Sequence, residues 1–484
     1  MLDVFSGIVD LERSARASLY RQLYEQLRGA ILDGRLPAGT RVPSTRIMAG
    51  QLGVARNTVL TAVEQLTAEG FLEARQGAGT LVSAQLSAEL TQAAHKRTSA
   101  RRPAYSLSDA GKRLASIIRT SEGGETPKAF MPGIPDIDAF PAVIWARLLR
   151  RETQRLLPQA LAYGWTAGHP KLQQILCAHL REMRGIQAEP EQIIITSSAQ
   201  GALDLLARAL VGPEDAVWLE EPGYLGARAA LLGSGARLIP VPVDEHGLIP
   251  NGRHAPPRAI YVTPSHQYPT GRLMPLARRL ELLEVAERHG AYIIEDDYDS
   301  EFQFQGRPVA ALQGLDPEGR VLYVGTFSKI LQPGLRVGYA VVPSALVQPL
   351  THIQRNTGQS VSAAIQLALA AFIEEGYLRA HVRRVSALYE QRQQVLADGL
   401  STLFKGRLGV EKPAGGMQLI ASLPDGMNDV AIVKSLAERG VHARALSSFY
   451  LGEVKAQGLL LGFAGYECEA IEAGLKDIKE ILDI

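Results

Sequence analysis

The sequence predicts an α/β protein in two parts: a small helical head closed by a hairpin, and a larger body built on a mainly parallel sheet. Three observations lead there. From Gln192 onward, short β-rich runs alternate with amphipathic stretches, the pattern of strand–helix–strand units whose sheet is covered on both faces. Up to about Val82 the apolar residues instead fall at helical spacing and end in a Gly-containing hairpin. Between the two, residues 84–121 are polar and basic with no sustained apolar period, which reads as a linker. The expected division is a head over 14–83, a linker over 84–121 and a body over 122–484. A smaller α+β subdomain is expected from about residue 375, where helices dominate over weaker strands.

Composition is that of an ordinary globular chain: 484 residues, 46% hydrophobic, 21% charged, net charge +1. That length supports two or three domains with sizeable cores. Cys177 and Cys468 are the only cysteines and neither stands at metal-ligand spacing, so neither a disulfide framework nor a metal site is expected. No apolar run approaches membrane-spanning length and the first residues do not read as a signal peptide. A cytoplasmic protein is the expectation. Residues 84–113 hold Lys96, Arg97, Arg101, Arg102, Lys112 and Arg113 against Glu89 and Asp109. A short basic run of this kind is ordinarily a solvated segment, so DNA binding has to be argued from motif.

In the head, Leu19–Leu32 places apolar residues at 19, 23, 27 and 31, a helical stripe. Gly34, Pro37 and Gly39 then break the chain. Ser44 is suited to cap a short helix over PSTRIMAGQLG, and Gly53 permits the turn that follows. ARNTVLTAVEQLTAEG reads as the next helix, with Val59, Val63 and Leu66 inward. Arg56, Asn57, Thr58 and Thr61 lie near its start or off that stripe. A helix-turn-helix presents the start of its second helix to base edges while neighbouring groups hold phosphates. The candidate DNA contacts are therefore Ser44, Thr45, Arg46, Arg56, Asn57 and Thr58. Arg75, Gly77 and Gly79 join them at a hairpin tip whose glycines let backbone approach DNA. PSTR, RNTV, LTAEG and GAGTLV resemble the winged helix-turn-helix of GntR-family transcriptional regulators over about residues 17–82. The resemblance implies a double-stranded DNA operator as partner.

In the body, strands are expected at Gln192–Thr196, Ala216–Leu219, Leu238–Val243, Ala259–Thr263, Ala291–Ile294, Val321–Val324 and Val337–Val342. Helices such as Gln200–Leu210 and Pro275–His289 lie between them. Ligands on such sheets gather beyond the carboxyl ends of the strands, and there the chemistry-bearing residues fall. Lys329 follows a strand directly, with Arg336 seven residues on. A lysine is ordinarily a solvated surface group, so its case rests on companions. Asp296 and Tyr298 close another strand in IIEDDYDSEF. A carboxylate there suits the ring nitrogen of pyridoxal 5'-phosphate (PLP), and Tyr298 its phenolic oxygen. Ser198, Ala199 and Gln200, in a loop that opens a helix, suit a phosphate. Ser328 and Arg336 would add phosphate contacts, and Tyr224 of PGY a ring to stack on the cofactor.

The order phosphate loop, PGY, TPSHQYPTG, EDDYDSEF, TFSKILQPGLRVGY resembles the aminotransferases of PLP fold type I. FMPGIPDIDAFP and YGWTAGHPKLQ look like that family's N-terminal segments, so the likeness spans about residues 128–484. It implies Lys329 as the Schiff-base lysine, Asp296 as partner of the ring nitrogen and Arg336 on the phosphate. Head and body together resemble the MocR-type subfamily of GntR regulators. That implies a small-molecule effector, a head-to-tail homodimer and residence at nucleoid DNA in the cytoplasm.

Three positions depart from the aminotransferase pattern. Tyr268 stands where an asparagine commonly precedes Pro-Thr-Gly, and Leu460 stands where many members place a substrate-carboxylate arginine. Arg444 or Arg228 would then be the substitute contacts for an effector. Ser198 also replaces a common glycine of the phosphate loop. The expected function is a PLP-binding, DNA-binding transcriptional regulator that senses an amino compound or PLP through an internal aldimine on Lys329. The rivals are an active aminotransferase with an appended DNA-binding head, and a repressor whose body serves dimerisation alone. Effector, operator and sign of regulation stay open at this level.

Overall fold

The structure is a computed structural model that describes residues 7–15, 17–75, 79–84, 106–117, 128–156, 158, 167–250, 254–305 and 309–482. The chain divides into two compact units, Met1–Ser106 and Leu107–Ile484.

In the first unit, α1 (Leu19–Leu32) buries Leu23, Leu27, Ala30 and Ile31. α2 (Thr45–Leu52) starts at Ser44, whose Oγ accepts the Ile47 N–H at 3.4 Å. Gly53 ends α2 in the left-handed region, φ 63°, where a side chain would be strained. α3 (Arg56–Ala68) buries Val59, Ala62, Val63 and Leu66 against α1 and α2. An antiparallel sheet in the order β1 (Arg41–Val42), β3 (Gly79–Val82), β2 (Leu72–Arg75) closes the unit. Three helices and a wing follow from the apolar stripe and the glycine breaks.

The second unit is organised by an eight-stranded sheet. Its strands are β4 (Ile193–Thr196), β5 (Ala216–Glu221), β6 (Arg237–Asp244), β7 (Gly247–Leu248), β8 (Ala259–Val262), β9 (Tyr292–Asp297), β10 (Val321–Thr326) and β11 (Gly338–Val341). The spatial order is β4-β11-β10-β9-β8-β5-β6-β7. The run β10-β9-β8-β5-β6 is parallel, as the alternation of strands and helices predicts. β11, the strand expected at Val337–Val342, is antiparallel to both β10 and β4. Successive side chains feed opposite cores. Ile193, Ile195 and Tyr323 face the helices Pro170–Arg184 and Ala363–Glu374. Ile194, Leu322 and Val324 face Ala199–Leu210 and Leu225–Gly233.

Beyond the long helix Tyr377–Phe404 lies an antiparallel sheet in the order β12 (Gly409–Glu411), β13 (Gln418–Ser422), β15 (Gly458–Gly462), β14 (Arg444–Ala445). Leu419, Ala421, Leu459 and Leu461 pack on Tyr377–Phe404 and Cys468–Leu482. Ile420 and Leu460 turn the other way, toward Leu225, Leu446 and Phe449.

The stretch read as linker contains structure. Asp109–Ala115 is a helix capped by the Ser108 side chain, which accepts the Gly111 N–H at 3.1 Å. It packs on Leu225–Gly233, and Ile117 just after it joins the cluster around Leu460. Its apolar residues are too few to show a period, so tertiary packing decides it. Lys96 to Arg102 lie outside the described residues.

Candidate functional site

On the first unit, Arg46, Arg56 and Asn57 are exposed at the starts of α2 and α3, with Thr45 and Thr58 half-buried beside them. Ser44 is exposed while its oxygen caps α2. Arg75 is exposed on the wing and pairs with Glu73 at 2.8 Å. Gly79 is left-handed, φ 84°, and a Cβ there would stand 3.3 Å from Arg41 Nε. Gly77 lies outside the described residues. Arg41, exposed beside Gly79, belongs with these cations. It was missed because pairing of β1 with β3 brings it to the wing from outside the motif.

On the second unit, the sequence-predicted cofactor residues follow the carboxyl ends of β4, β5, β9 and β10. Val324 of β10 pairs with Asp296 of β9, and Lys329 follows three residues after β10 ends. Lys329 Nζ donates to the Gly133 carbonyl oxygen at 2.6 Å. Gly133 has φ 71°, and a Cβ on it would stand 2.7 Å from Nζ. The segment FMPGIPD therefore crosses directly over the lysine.

Asp296 is 3% exposed. Its Oδ2 accepts the Tyr261 hydroxyl at 2.8 Å, while Oδ1 is buried with no hydrogen-bond partner. Burial raises its pKa to about 7, with Tyr261 and the Lys329 ammonium opposing. An unpartnered buried carboxylate oxygen is costly unless a donor arrives. A protonated pyridine nitrogen is such a donor. Tyr261 was missed by sequence reasoning because it reads as an ordinary core residue of β8.

Ser198, Ala199 and Gln200 open the helix Ala199–Leu210, whose positive end favours an anion. Ser198 is extended at φ 175° and its Oγ accepts the Gly201 N–H at 3.0 Å, so the serine is accommodated in place of glycine. A Cβ at Gly338 would lie 2.4 Å from the Ser198 carbonyl carbon, so β11 begins hard against this loop. Two residues earlier, Arg336 is exposed in the left-handed region, φ 55°. The Ser328 N–H donates to Thr326 Oγ1 at 3.1 Å. Backbone amides and hydroxyls at a helix start are of the chemical type that suits a phosphate.

Tyr224, Tyr268 and Tyr298 form an aromatic run. Tyr268 lies edge-on to Tyr224 at 5.3 Å, to Tyr298 at 5.7 Å and to Phe449 at 5.5 Å. Burial and Asp299 raise the Tyr298 phenol well above its usual range, which keeps it a proton donor. Leu460 is fully buried among Leu225, Leu446 and Phe449. Arg444 is its cross-strand partner and shares its face of the small sheet. Arg228 Nη1 donates to the Tyr450 carbonyl oxygen at 3.4 Å and its Nε is buried without a partner. Burial lowers its pKa, with Glu221 opposing.

No helix among the described residues is long and apolar enough to cross a membrane. No group of three or more His, Cys, Asp or Glu among them is placed to hold a metal ion.

Both parts of the chain match known families. The family profile for aminotransferase class I and II matches residues 138–474, and that for bacterial regulatory proteins of the gntR family matches residues 19–82. The chain is 43% identical to the probable rhizopine catabolism regulatory protein MocR of Rhizobium meliloti, over 97% of this chain and 94% of that protein. It is 33% identical to the pyridoxine biosynthesis transcriptional regulator PdxR of Corynebacterium glutamicum, over 96% of each. Among solved structures it resembles LysN, the α-aminoadipate aminotransferase of Thermus thermophilus complexed with N-(5'-phosphopyridoxyl)-L-leucine. That match has a TM-score of 0.70 and 28% identity over 77% of this chain and 96% of that one.

Proposed function

The chain belongs to the MocR-type subfamily of GntR transcriptional regulators, and from that premise we propose that its second unit holds PLP on Lys329 to sense a small amino compound or PLP itself. The single observation that carries the cofactor assignment is the buried, unpartnered Oδ1 of Asp296 at the strand end beside the lysine's strand. When bound, PLP supplies an aldehyde that condenses with primary amines and a conjugated ring that absorbs visible light.

The protein's own groups divide the work. Lys329 presents the amine. Asp296 accepts the ring N–H and Tyr261 keeps that carboxylate oriented. Tyr298 donates to the ring's phenolic oxygen, and Tyr224 lies against its face. Ser198, Ala199, Gln200, Ser328 and Arg336 hold the phosphate. Arg228 and Arg444 are the contacts for an anionic group of an effector remote from its amine. Tyr268 and Leu460, the positions that depart from the aminotransferase pattern, favour a sensor over an efficient transaminase. The head (14–83) binds an operator in double-stranded DNA, in the cytoplasm and at the nucleoid, as part of a head-to-tail homodimer. An effector that binds one arrangement of this assembly better than another shifts operator affinity.

The test is a titration of the full chain with PLP, followed by visible absorbance. A saturable band in the wild type that Lys329→Ala abolishes supports the reading. The same band in both proteins overturns it.

A further inference from the structure

Residues 128–136 precede the eight-stranded sheet in sequence, yet the groups that anchor them lie between residues 389 and 466. The Lys128 N–H donates to the Gly440 carbonyl oxygen at 2.9 Å, and the Phe130 carbonyl oxygen accepts the Gly462 N–H at 2.9 Å. The Met131 N–H reaches the Tyr466 hydroxyl at 3.2 Å. Glycines on the facing side let the segment in. A Cβ on Gly462 would stand 2.4 Å from the Met131 carbonyl oxygen, and one on Gly465 3.0 Å from that of Ile134. Phe130 is fully buried in the left-handed region, φ 67°, a conformation that a bulky residue keeps only where its surroundings impose it.

Asp136 fixes the far end. It is 7% exposed and its partner Arg392 2%. Arg392 Nη1 donates to Asp136 Oδ2 at 2.9 Å and to the Ala464 carbonyl oxygen at 2.6 Å, and Nη2 donates to Glu467. The Asp136 N–H donates to the Tyr389 hydroxyl at 2.8 Å, and Oδ1 accepts the Ala139 N–H at 3.0 Å. Tyr389 and Arg392 stand three residues apart on the long helix, hence on one face of it. A buried ion pair adds little net stability, because desolvation offsets its attraction. What this one fixes is the course of the segment. Midway between Phe130 and Asp136, the Gly133 carbonyl oxygen accepts from Lys329 Nζ at 2.6 Å. The large sheet thus supplies the amine, while the small sheet and the long helix place the group that holds it.

We propose that Asp136, fixed by Arg392 and Tyr389, is a positioning residue for Lys329. It holds the Gly133 carbonyl over the amine and so sets the direction in which Nζ is offered. Its action on the lysine runs through the segment 130–136. The proposal rests on the reading of Lys329 given above.

The experiment uses the full chain without cofactor. Brief acetylation with acetic anhydride, digestion and mass spectrometry give the labelling rate of Lys329 relative to Lys434, which is exposed on the helix Asp429–Glu438. Asp136→Asn keeps the shape of the side chain and removes its charge, while Tyr389→Phe removes the hydroxyl and keeps the ring. Each is expected to loosen the segment and raise the labelling ratio at least about fivefold over the wild type. PLP affinity, read from the visible band, is expected to fall at least about fivefold in the same variants. Glu467→Gln alters the other side of Arg392 and is expected to leave both readouts within about twofold. A labelling ratio unchanged in any anchor variant that folds overturns the proposal, even where its melting temperature falls, because the pair then only supports the fold. An equal rise in Glu467→Gln overturns it too. A wild-type chain with no Lys329-dependent band overturns the cofactor reading while the labelling result still judges the segment, which separates the two failures.

Discussion

Lys329 Nζ lies 2.6 Å from the carbonyl oxygen of Gly133, so the loop Phe130–Asp136 and the lysine after β10 meet across 196 positions of sequence. The contact holds the amine at the strand ends and requires a residue without Cβ above it. Gly133→Ala is expected to displace the lysine, both because Cβ would stand 2.7 Å from Nζ and because φ is 71°. PLP affinity should fall at least about tenfold with little change in secondary structure. Equal affinity would show that the loop does not position the lysine.

The Asp296 carboxyl gives a pH signature to the cofactor-free chain. Its native pKa is near 7 against an ordinary 3.8. Between these values the native state keeps a proton that the unfolded chain has released. Stability therefore falls as pH rises through that window, by at most about 1.4 kcal/mol per pH unit for one group. Glu220, raised by burial to about 7 from 4.5, contributes with the same sign. Thermal unfolding from pH 5 to 8 should show this decline, and Asp296→Asn should flatten it and weaken PLP binding. An unchanged slope in the variant would contradict the assignment.

A latch joins the small sheet to the PGY turn. Glu221 accepts the Leu451 N–H at 2.7 Å and the Gly452 N–H at 2.6 Å, while the Gly223 N–H donates to the Phe449 carbonyl at 3.1 Å. Phe449 in turn touches Tyr268. Glu221→Ala removes the acceptor and should cost about 1–2 kcal/mol in chemical denaturation. The larger expected effect is on the effector's ability to shift DNA binding, measured by mobility shift with and without amine. A full effector response in Glu221→Ala would show that the latch is passive.

How much of this was legible in sequence differs by element. Leu19–Leu32 announced itself through a repeating stripe, and Ser44 through its place before a helix, because both signals are local. Lys329, Asp296 and Ser198 were legible from their positions after β-rich runs, since parallel strands bring their carboxyl ends to one edge. Gly133, Tyr261 and Glu221 were not. Each acts through a partner far along the chain, and nothing within a few residues of it reports that partner. The helix Asp109–Ala115 was hidden for a related reason: packing on Leu225–Gly233 stabilises it more than its own pattern does.

That helix yields a further expectation. Ile117, two residues past it, packs against the cluster of Leu225, Phe449 and Leu460. Ile117→Ala should leave PLP affinity within about twofold while reducing the effector-driven change in DNA binding. Loss of both together would mean that the residue only supports the fold.

On the DNA side, Arg46 and Arg56 are exposed at the two helix starts. Replacing one that contacts phosphate with Ala should weaken duplex binding and reduce the salt-dependence slope by about 1. Fluorescence anisotropy across a salt series measures it. An unchanged slope in both variants would place the interface elsewhere.

The most direct test of the central claim is chemical trapping. The full chain is loaded with PLP, reduced with borohydride, digested and analysed by mass spectrometry. The account predicts a stoichiometric phosphopyridoxyl mass increment on the peptide containing Lys329. An increment on another lysine, or none above background, would contradict it.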